Sequence, residues 1–253
     1  MGAEVCRTVA VADGLELAAG VDPFHAGKDL AELTGATLAA DSATLMCASA
    51  EEAGVSKPDV AIDFTVHSAA MPNLRWCAAN GVHAVVGTTG FTSADLDELR
   101  GLFTTSNCLI AANFAIGAVL MMRFAEMAAP FFETAEIIEY HHDAKVDAPS
   151  GTAMSTVARM AAAKSKWAPD PTKTEVLEGA RGGKGPGDIR VHAVRMRGVV
   201  ANQEVILGTT GQTLVIRHDT TDRTSFMPGV VLAAQRIAEH HGLTIGLDTF
   251  LNL

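Results

Sequence analysis

The sequence predicts an α/β protein, with a parallel sheet in its first half and an α+β arrangement in its second half. Before residue 114, short apolar runs at 60–64, 82–86 and 108–112 alternate with helical segments. Such runs are typical of strands that helices cover on both faces. After residue 114, a long apolar helix is followed mainly by strands joined through tight turns, which favours a mixed or antiparallel sheet. The 253 residues, 48% of them hydrophobic, suffice for one large or two modest domains.

The elements follow from these patterns in order. In the first half we expect helices at 3–12, 69–80 and 94–103 and a further strand at 15–21, while 30–38 and 42–50 are ambiguous. In the second half we expect helices at 115–132, 153–164 and 230–240 and strands at 134–140, 189–197, 204–208 and 213–218. The glycine-rich segment 179–187 predicts a mobile surface loop, in which Arg181 or Lys184 could contact an anion.

Composition excludes several classes of function. The net charge of −10 argues against nucleic acid or an anionic membrane as the main partner. The helix 115–132 carries Arg123, Glu126 and Pro130, so it is predicted to be buried in protein and not to span a membrane. The four cysteines are far apart and form no Cys-x-x-Cys pair, and no signal peptide is visible. A reduced, cytoplasmic protein is therefore expected.

The segment 139–153 concentrates the residues that carry chemistry. His141 and His142 can exchange protons near neutral pH, and Lys145 supplies a positive charge or a second acid. Ser150 precedes a helix that begins with Gly151-Thr152, whose N–H groups are suited to a carboxylate or phosphate. These features indicate an enzyme that acts on a small acid. The alternative is a solvated loop with an ordinary helix cap. The spacing is not that of a helical zinc pair, so no metal site is predicted.

Polar and glycine-rich segments follow the predicted strands, where parallel sheets bind ligands. An acid after the second strand, here Asp22, commonly accepts a hydrogen bond from an adenosine ribose about 20 residues beyond a glycine-rich phosphate loop. Counting back reaches Gly2, so the chain as written begins where that loop would end. We therefore expect this chain to bind cofactor weakly and to be less stable than a version with the missing strand and loop. Alternatively, Asp22-Pro23 is a plain turn.

The segment Glu139–Ala153 closely resembles the signature of the dihydrodipicolinate reductase family, especially its actinobacterial members. The segments 86–91 (VGTTGF), 111–117 (AANFAIG) and 222–229 (DRTSFMPG) are similar to further motifs of that family. The resemblance covers essentially the whole chain. It implies a Rossmann-type domain and NAD(P)H-dependent reduction of 4-hydroxy-tetrahydrodipicolinate, a cyclic dicarboxylate of lysine and diaminopimelate synthesis.

The resemblance also implies roles for individual residues. His141 matches the family's catalytic proton donor, and Lys145 matches its second donor. The implied substrate contacts are His142, Gly151 and Thr152. The implied cofactor contacts are Asp22, Gly87, Thr88, Thr89, Ala111, Ala112, Asn113 and Phe114. Asp22 would accept a 2′-hydroxyl and repel a 2′-phosphate, so NADH is favoured over NADPH, with dual use expected.

The expected domains are 1–113 with about 225–253 for the dinucleotide, and 114–224 for the substrate and, by resemblance, for a homotetramer. Two alternatives stay open. One is a non-catalytic or impaired nucleotide-binding paralogue, suggested by the truncated phosphate loop. The other is a different Rossmann-type enzyme, such as a semialdehyde or homoserine dehydrogenase, although the His-His-x-x-Lys pattern at 141–145 fits neither.

Overall fold

The computed structural model describes residues 1–38 and 45–253, and its contacts divide the chain into two compact units. The first unit comprises Met1–Ala115 together with Phe226–Leu253, and the second comprises Ile116–Ser225. The part of the ambiguous segment 42–50 that precedes Leu45 lies outside the described residues. None of the described helices combines the length and apolar character that crossing a lipid bilayer requires.

The first unit is built on a parallel sheet. Its helices are α1 (Gly2–Val9), α2 (Leu30–Thr34), α3 (Ala50–Ala53), α4 (His67–Ala79), α5 (Ser93–Leu102) and α8 (Met227–Arg236). Its strands are β1 (Gly20–Val21), β2 (Met46–Cys47), β3 (Val60–Asp63), β4 (His83–Val86), β5 (Cys108–Ile110) and β11 (Leu243–Ile245). The order β11-β5-β4-β3 is parallel throughout, while β1 and β2 form a separate parallel pair. The predicted parallel α/β class is confirmed.

Helices pack against this sheet because its strands are apolar at successive positions. Leu74 of α4 and Leu99 of α5 are almost completely buried, and they share a core with Val86 and Cys108. Burial raises the pKa of the Cys77 thiol to about 12, so this cysteine behaves as a small core residue. All four cysteines are unpaired, and Cys6 and Cys47 are half-buried.

The second unit is a mixed sheet covered by two helices. Its elements are α6 (Ile116–Ala128), β6 (Thr134–His141), α7 (Gly151–Ala163), β7 (Gly183–Lys184), β8 (Arg190–Arg195), β9 (Ala201–Thr209) and β10 (Gln212–Thr220). The order is β10-β9-β6-β8-β7, with β6 antiparallel to β9 and parallel to β8. The prediction of a mixed sheet is therefore confirmed.

Side-chain alternation gives this sheet two different faces. On β6, Ile137 and Glu139 are fully buried, whereas Ile138 and Tyr140 between and beyond them are only half-buried. Successive strand residues point to opposite faces, so the first pair lies on the face that α7 covers. The glycine-rich segment departs from the expected loop, because Gly183–Lys184 pairs with β8 and Arg181 forms ion pairs with Glu136 and Asp170.

Candidate active site

The catalytic candidate His141 is the last residue of β6, and a buried carboxylate holds it. Its Nδ1 lies 2.5 Å from Oε2 of Glu139, whose side chain has no solvent exposure. Arg195, the last residue of β8, donates to both oxygens of the same carboxylate, at 2.8 and 2.9 Å. All three side chains lie on one sheet face, because β6 and β8 are in register with His141 opposite Arg195.

Opposing effects act on the protonation of Glu139. Burial alone would raise the pKa of this carboxyl, but the hydrogen bonds from Arg195 and His141 outweigh burial and lower the pKa below its ordinary value. Glu139 is therefore an anion at neutral pH. An anionic carboxylate only accepts hydrogen bonds, so the nitrogen of His141 that faces it acts as the donor.

The loop after β6 carries the other predicted proton donor. Lys145 is about one-fifth exposed, and its Nζ donates to Oδ1 of the exposed Asp147 at 2.6 Å. That hydrogen bond lowers the pKa of Asp147. Arg195 also donates to the backbone carbonyl of Asp147 at 2.6 Å, so the same arginine anchors the loop and the buried glutamate.

His142 leaves the strand and differs from His141 in its surroundings. Its backbone N–H donates to the carbonyl of Val200 at 3.4 Å, and its side chain is exposed. The carbonyl of His142 accepts from the N–H of Lys145, which closes a turn at the start of the loop. His142 is therefore next to His141 in sequence, but its exposed side chain does not share the buried surroundings of Glu139.

The predicted anion site is the first turn of α7. The hydroxyl of Ser150 accepts from the N–H of Ala153 at 3.1 Å, which makes Ser150 the N-cap. The N–H of Ser150 donates to Oε1 of Glu139 at 3.1 Å, so this cap is tied to the strand that carries His141. Gly151 and Thr152 occupy the first helical positions, where backbone N–H groups point along the axis toward an anion.

In the first unit, the loops after β3 and β4 converge on the carboxylate of Asp63. Its Oδ1 accepts from the Thr65 N–H and hydroxyl and from the Thr88 hydroxyl at 2.8 Å, and its Oδ2 accepts from the Asn73 amide. Asp63 is 7% exposed and Thr88 is 4% exposed. The network fixes Thr88, one of the predicted cofactor residues, while its neighbour Thr89 stays exposed.

A glycine beside this network lies too close to an aromatic ring to carry a side chain. A Cβ on Gly87 would lie 2.1 Å from the ring of Phe64, so only glycine fits there without displacement. Phe64 also packs on Phe114, with ring centroids 5.6 Å apart. Glycine-rich turns that follow parallel strands commonly bind dinucleotides, so this turn suits a nicotinamide dinucleotide.

The remaining cofactor candidates divide between two places. Ala111–Phe114 follows β5, and the Asn113 side chain accepts from the Ala115 N–H at 2.8 Å, while Ala112 is exposed. Asp22 follows β1, which pairs with β2 and not with the four-stranded sheet. Its carboxylate accepts from the ring of His25 and the N–H of Phe24, and the hydrogen bond from His25 lowers the pKa of Asp22.

Sequence reasoning assigned no role to Asp63, Glu139 or Arg195. A signal for Glu139 was present, because an acid two residues before a histidine in a strand shares its face. Arg195 lies on another strand, and only the register of β6 and β8 brings it to Glu139. Within 1–38 and 45–253, no three His, Cys, Asp or Glu side chains are placed to hold a metal ion.

Known proteins resemble this chain over its full length. Models described as dihydrodipicolinate reductase, N-terminus and C-terminus, match residues 1–114 and 117–251. The 4-hydroxy-tetrahydrodipicolinate reductase of Nocardia farcinica is 48% identical, covering 100% of this chain and 95% of the relative. That of Mycolicibacterium vanbaalenii is 49% identical with the same coverage.

Two solved structures are also similar. Dipicolinate-bound dihydrodipicolinate reductase from Paenisporosarcina sp. TG-14 gives a TM-score of 0.83 at 38% identity, covering 97% of this chain and 93% of that one. An amine dehydrogenase from Mycobacterium smegmatis gives 0.61 at 14% identity, covering 95% and 91%, and shows the fold alone. The two family models together span almost every residue. This chain therefore belongs to the dihydrodipicolinate reductase family.

Proposed function

We propose that this protein reduces 4-hydroxy-tetrahydrodipicolinate to tetrahydrodipicolinate with NADH or NADPH, in lysine and diaminopimelate synthesis. The observation that carries the proposal is the buried Glu139–His141 pair, which ends a strand beside the N-terminus of α7. Relatives at 48 and 49% identity bear the name of this reductase, which supports it over the paralogue and the other dehydrogenases. The first unit is assigned the cofactor and the second unit the substrate.

The chemistry divides among named groups. Loss of the 4-hydroxyl group as water gives the ring a C=C bond conjugated with its C=N bond. A nicotinamide, when bound, would supply a hydride to this conjugated system, which would leave negative charge on the ring next to a carboxylate. His141 then delivers a proton to that position, and Lys145 assists as a second donor. The N–H groups of Gly151 and Thr152, with His142, hold a substrate carboxylate. Dipicolinate in the Paenisporosarcina relative supports a cyclic dicarboxylate as the ligand class.

The decisive assay follows NADH oxidation with freshly prepared 4-hydroxy-tetrahydrodipicolinate. We expect turnover by the parent chain and a loss of about 10²–10⁴-fold in kcat for His141→Gln, the range of general acid catalysis. His192→Gln is the matched control, because His192 also bonds to a glutamate, Glu136, but on the other face of β6. An inactive parent, or equal losses in the two variants, would refute the proposal.

We further propose that NADH is preferred. Asp22 is anionic and half-exposed, and it would accept a ribose 2′-hydroxyl while repelling a 2′-phosphate. His25 donates a hydrogen bond to that carboxylate and so weakens its repulsion of a 2′-phosphate. His25→Ala is therefore expected to widen the preference for NADH in a fluorescence titration. NADPH binding tenfold more tightly to the parent would overturn the preference.

We propose that the protein is a homotetramer that works in the cytoplasm. Its four free cysteines fit a reducing compartment. The sheet face away from α7 presents half-exposed apolar residues, which we assign to contact with further copies of this chain: Ile138, Tyr140, Ile206 and Val215. Light scattering should report four copies for the parent and fewer for Val215→Glu. The control Val55→Glu changes an exposed residue of the other unit and should leave four. A monomeric parent would refute the assembly.

A further inference from the structure

The carboxylate of Glu139 receives four hydrogen bonds that divide evenly between its oxygens. Oε2 accepts from His141 Nδ1 and from Arg195 Nη1, at 2.5 and 2.8 Å. Oε1 accepts from the Ser150 N–H and from Arg195 Nη2, at 3.1 and 2.9 Å. The Glu139 side chain is completely buried in this structure, so these protein groups and not bulk water solvate its charge. Such a charge-assisted network fixes each partner in one orientation.

This network decides which nitrogen of His141 carries the proton. Glu139 is an anion and offers only acceptor oxygens, so Nδ1 of the neutral imidazole must be protonated. The second nitrogen, Nε2, does not face Glu139, because Nδ1 makes that contact. Nε2 is therefore the position at which His141 gains and gives up a proton.

We propose that Glu139 is a positioning residue that holds His141 as the Nδ1–H tautomer and thereby reserves Nε2 for proton transfer to the substrate. Arg195 supports this role by keeping Glu139 charged and by anchoring the loop through the Asp147 carbonyl. The catalytic part rests on the proposed function, whereas the tautomer follows from the contacts of the second unit alone.

The variant Glu139→Gln makes a directional prediction. At the Oε1 position both partners, the Ser150 N–H and Arg195 Nη2, can only donate. At the Oε2 position only Arg195 Nη1 is restricted to donating, because His141 can change its tautomer. The amide oxygen of the glutamine is therefore expected at the Oε1 position, where it satisfies two obligatory donors instead of one. The NH₂ group then faces His141 and donates to Nδ1. The neutral ring must carry its proton on Nε2 instead, which is the wrong tautomer for accepting a proton there.

Nitrogen NMR of ¹⁵N-histidine-labelled protein tests the tautomer without any activity measurement. The signals of His141 are assigned by their loss in His141→Gln, and spectra are taken where the imidazole is neutral. We expect Nδ1–H in the parent and in Glu139→Asp, which keeps an acceptor-only group, and Nε2–H in Glu139→Gln. The control Glu136→Gln alters a glutamate that also pairs with a histidine and an arginine, but on the opposite face.

Kinetics test the consequence for catalysis. For Glu139→Gln, kcat and kcat/KM should fall together by about 100-fold, because the lost interaction acts on proton transfer and not on substrate binding. Glu139→Asp should recover part of that loss, and Glu136→Gln should retain parent activity. An Nε2–H parent, an unchanged tautomer in Glu139→Gln, or an unchanged kcat would overturn the inference. An inactive parent would refute the proposed function, while the spectra would still decide the pairing.

Discussion

Replacing Arg195 by methionine should destabilise the protein substantially, because the buried carboxylate of Glu139 loses its positively charged partner. The substitution removes both charge-assisted hydrogen bonds to Glu139 and the one to the Asp147 carbonyl. Removing one partner of a buried ion pair typically costs about 3–5 kcal/mol. The Arg195 side chain is 20% exposed, so water can partly replace it, and the lower end applies. We expect a loss of about 3 kcal/mol, or a melting temperature lower by about 6–12 °C.

The loss should also depend on pH with a defined sign. The pKa of folded Glu139 lies below its ordinary value of 4.5, so its ion pair stabilises the parent above that pH and loses this effect as the pH falls further. In Arg195→Met, burial is no longer opposed by the arginine, so Glu139 takes up a proton more readily. The difference between parent and variant should therefore be large at neutral pH and shrink in acid.

Thermal and guanidinium unfolding, followed by circular dichroism at neutral and acidic pH, measure this difference. Arg75→Gln is the matched control, because Arg75 also makes a two-point contact with a glutamate, Glu98, but both side chains are well exposed. Its melting temperature should stay close to that of the parent. A loss below about 1 kcal/mol for Arg195→Met, or one that does not shrink in acid, would refute the reasoning.

Two further predictions concern the cofactor loop and the substrate loop. Gly87→Ala should cost about 1–3 kcal/mol of stability and weaken cofactor binding, because its new Cβ has no space. The control Gly101→Ala places its Cβ where no atom lies within 4 Å, so thermal unfolding should show a gain of up to about 1 kcal/mol. Similar changes in stability for the two variants would contradict this prediction. Asp147→Asn should lower the substrate KM, most clearly at low salt, because it releases Lys145 from its ion pair. A KM unchanged at every salt concentration would show that the pair does not compete with substrate.

Much of the sheet architecture was predictable because its strands are short apolar runs. β3, β4 and β5 lie within the predicted strands, since burial on both faces leaves an unbroken apolar run. The prediction of a strand over 15–21 was wrong at its start, because within the described part of the chain only Gly20–Val21 pairs with another strand. The three-residue strand β11 was missed, because so short a run after Gly242 has no periodicity of its own.

The candidate site was predictable only where its residues are neighbours in sequence. His141 and Lys145 stand close together, so their residue types alone suggested proton chemistry. The partners that govern them are set by register and by side-chain direction. Arg195 reaches Glu139 only through the pairing of β6 with β8. Asp63, at the end of β3, accepts a hydrogen bond from Thr88, which follows the neighbouring strand β4. The roles of the predicted cofactor and substrate residues stay predictions.

The first unit is formed by two separate segments of the chain, and this has a consequence for folding during translation. Its edge strand β11 pairs with β5, and Asn107 donates to the carbonyls of Ile237 and Ala238. These partners are translated after the whole second unit, which ends at Ser225. On the ribosome, the unit that carries His141 can therefore close first, while the first unit waits with an open sheet edge. A nascent chain at that stage exposes the unpaired edge of β5, the kind of surface that promotes aggregation.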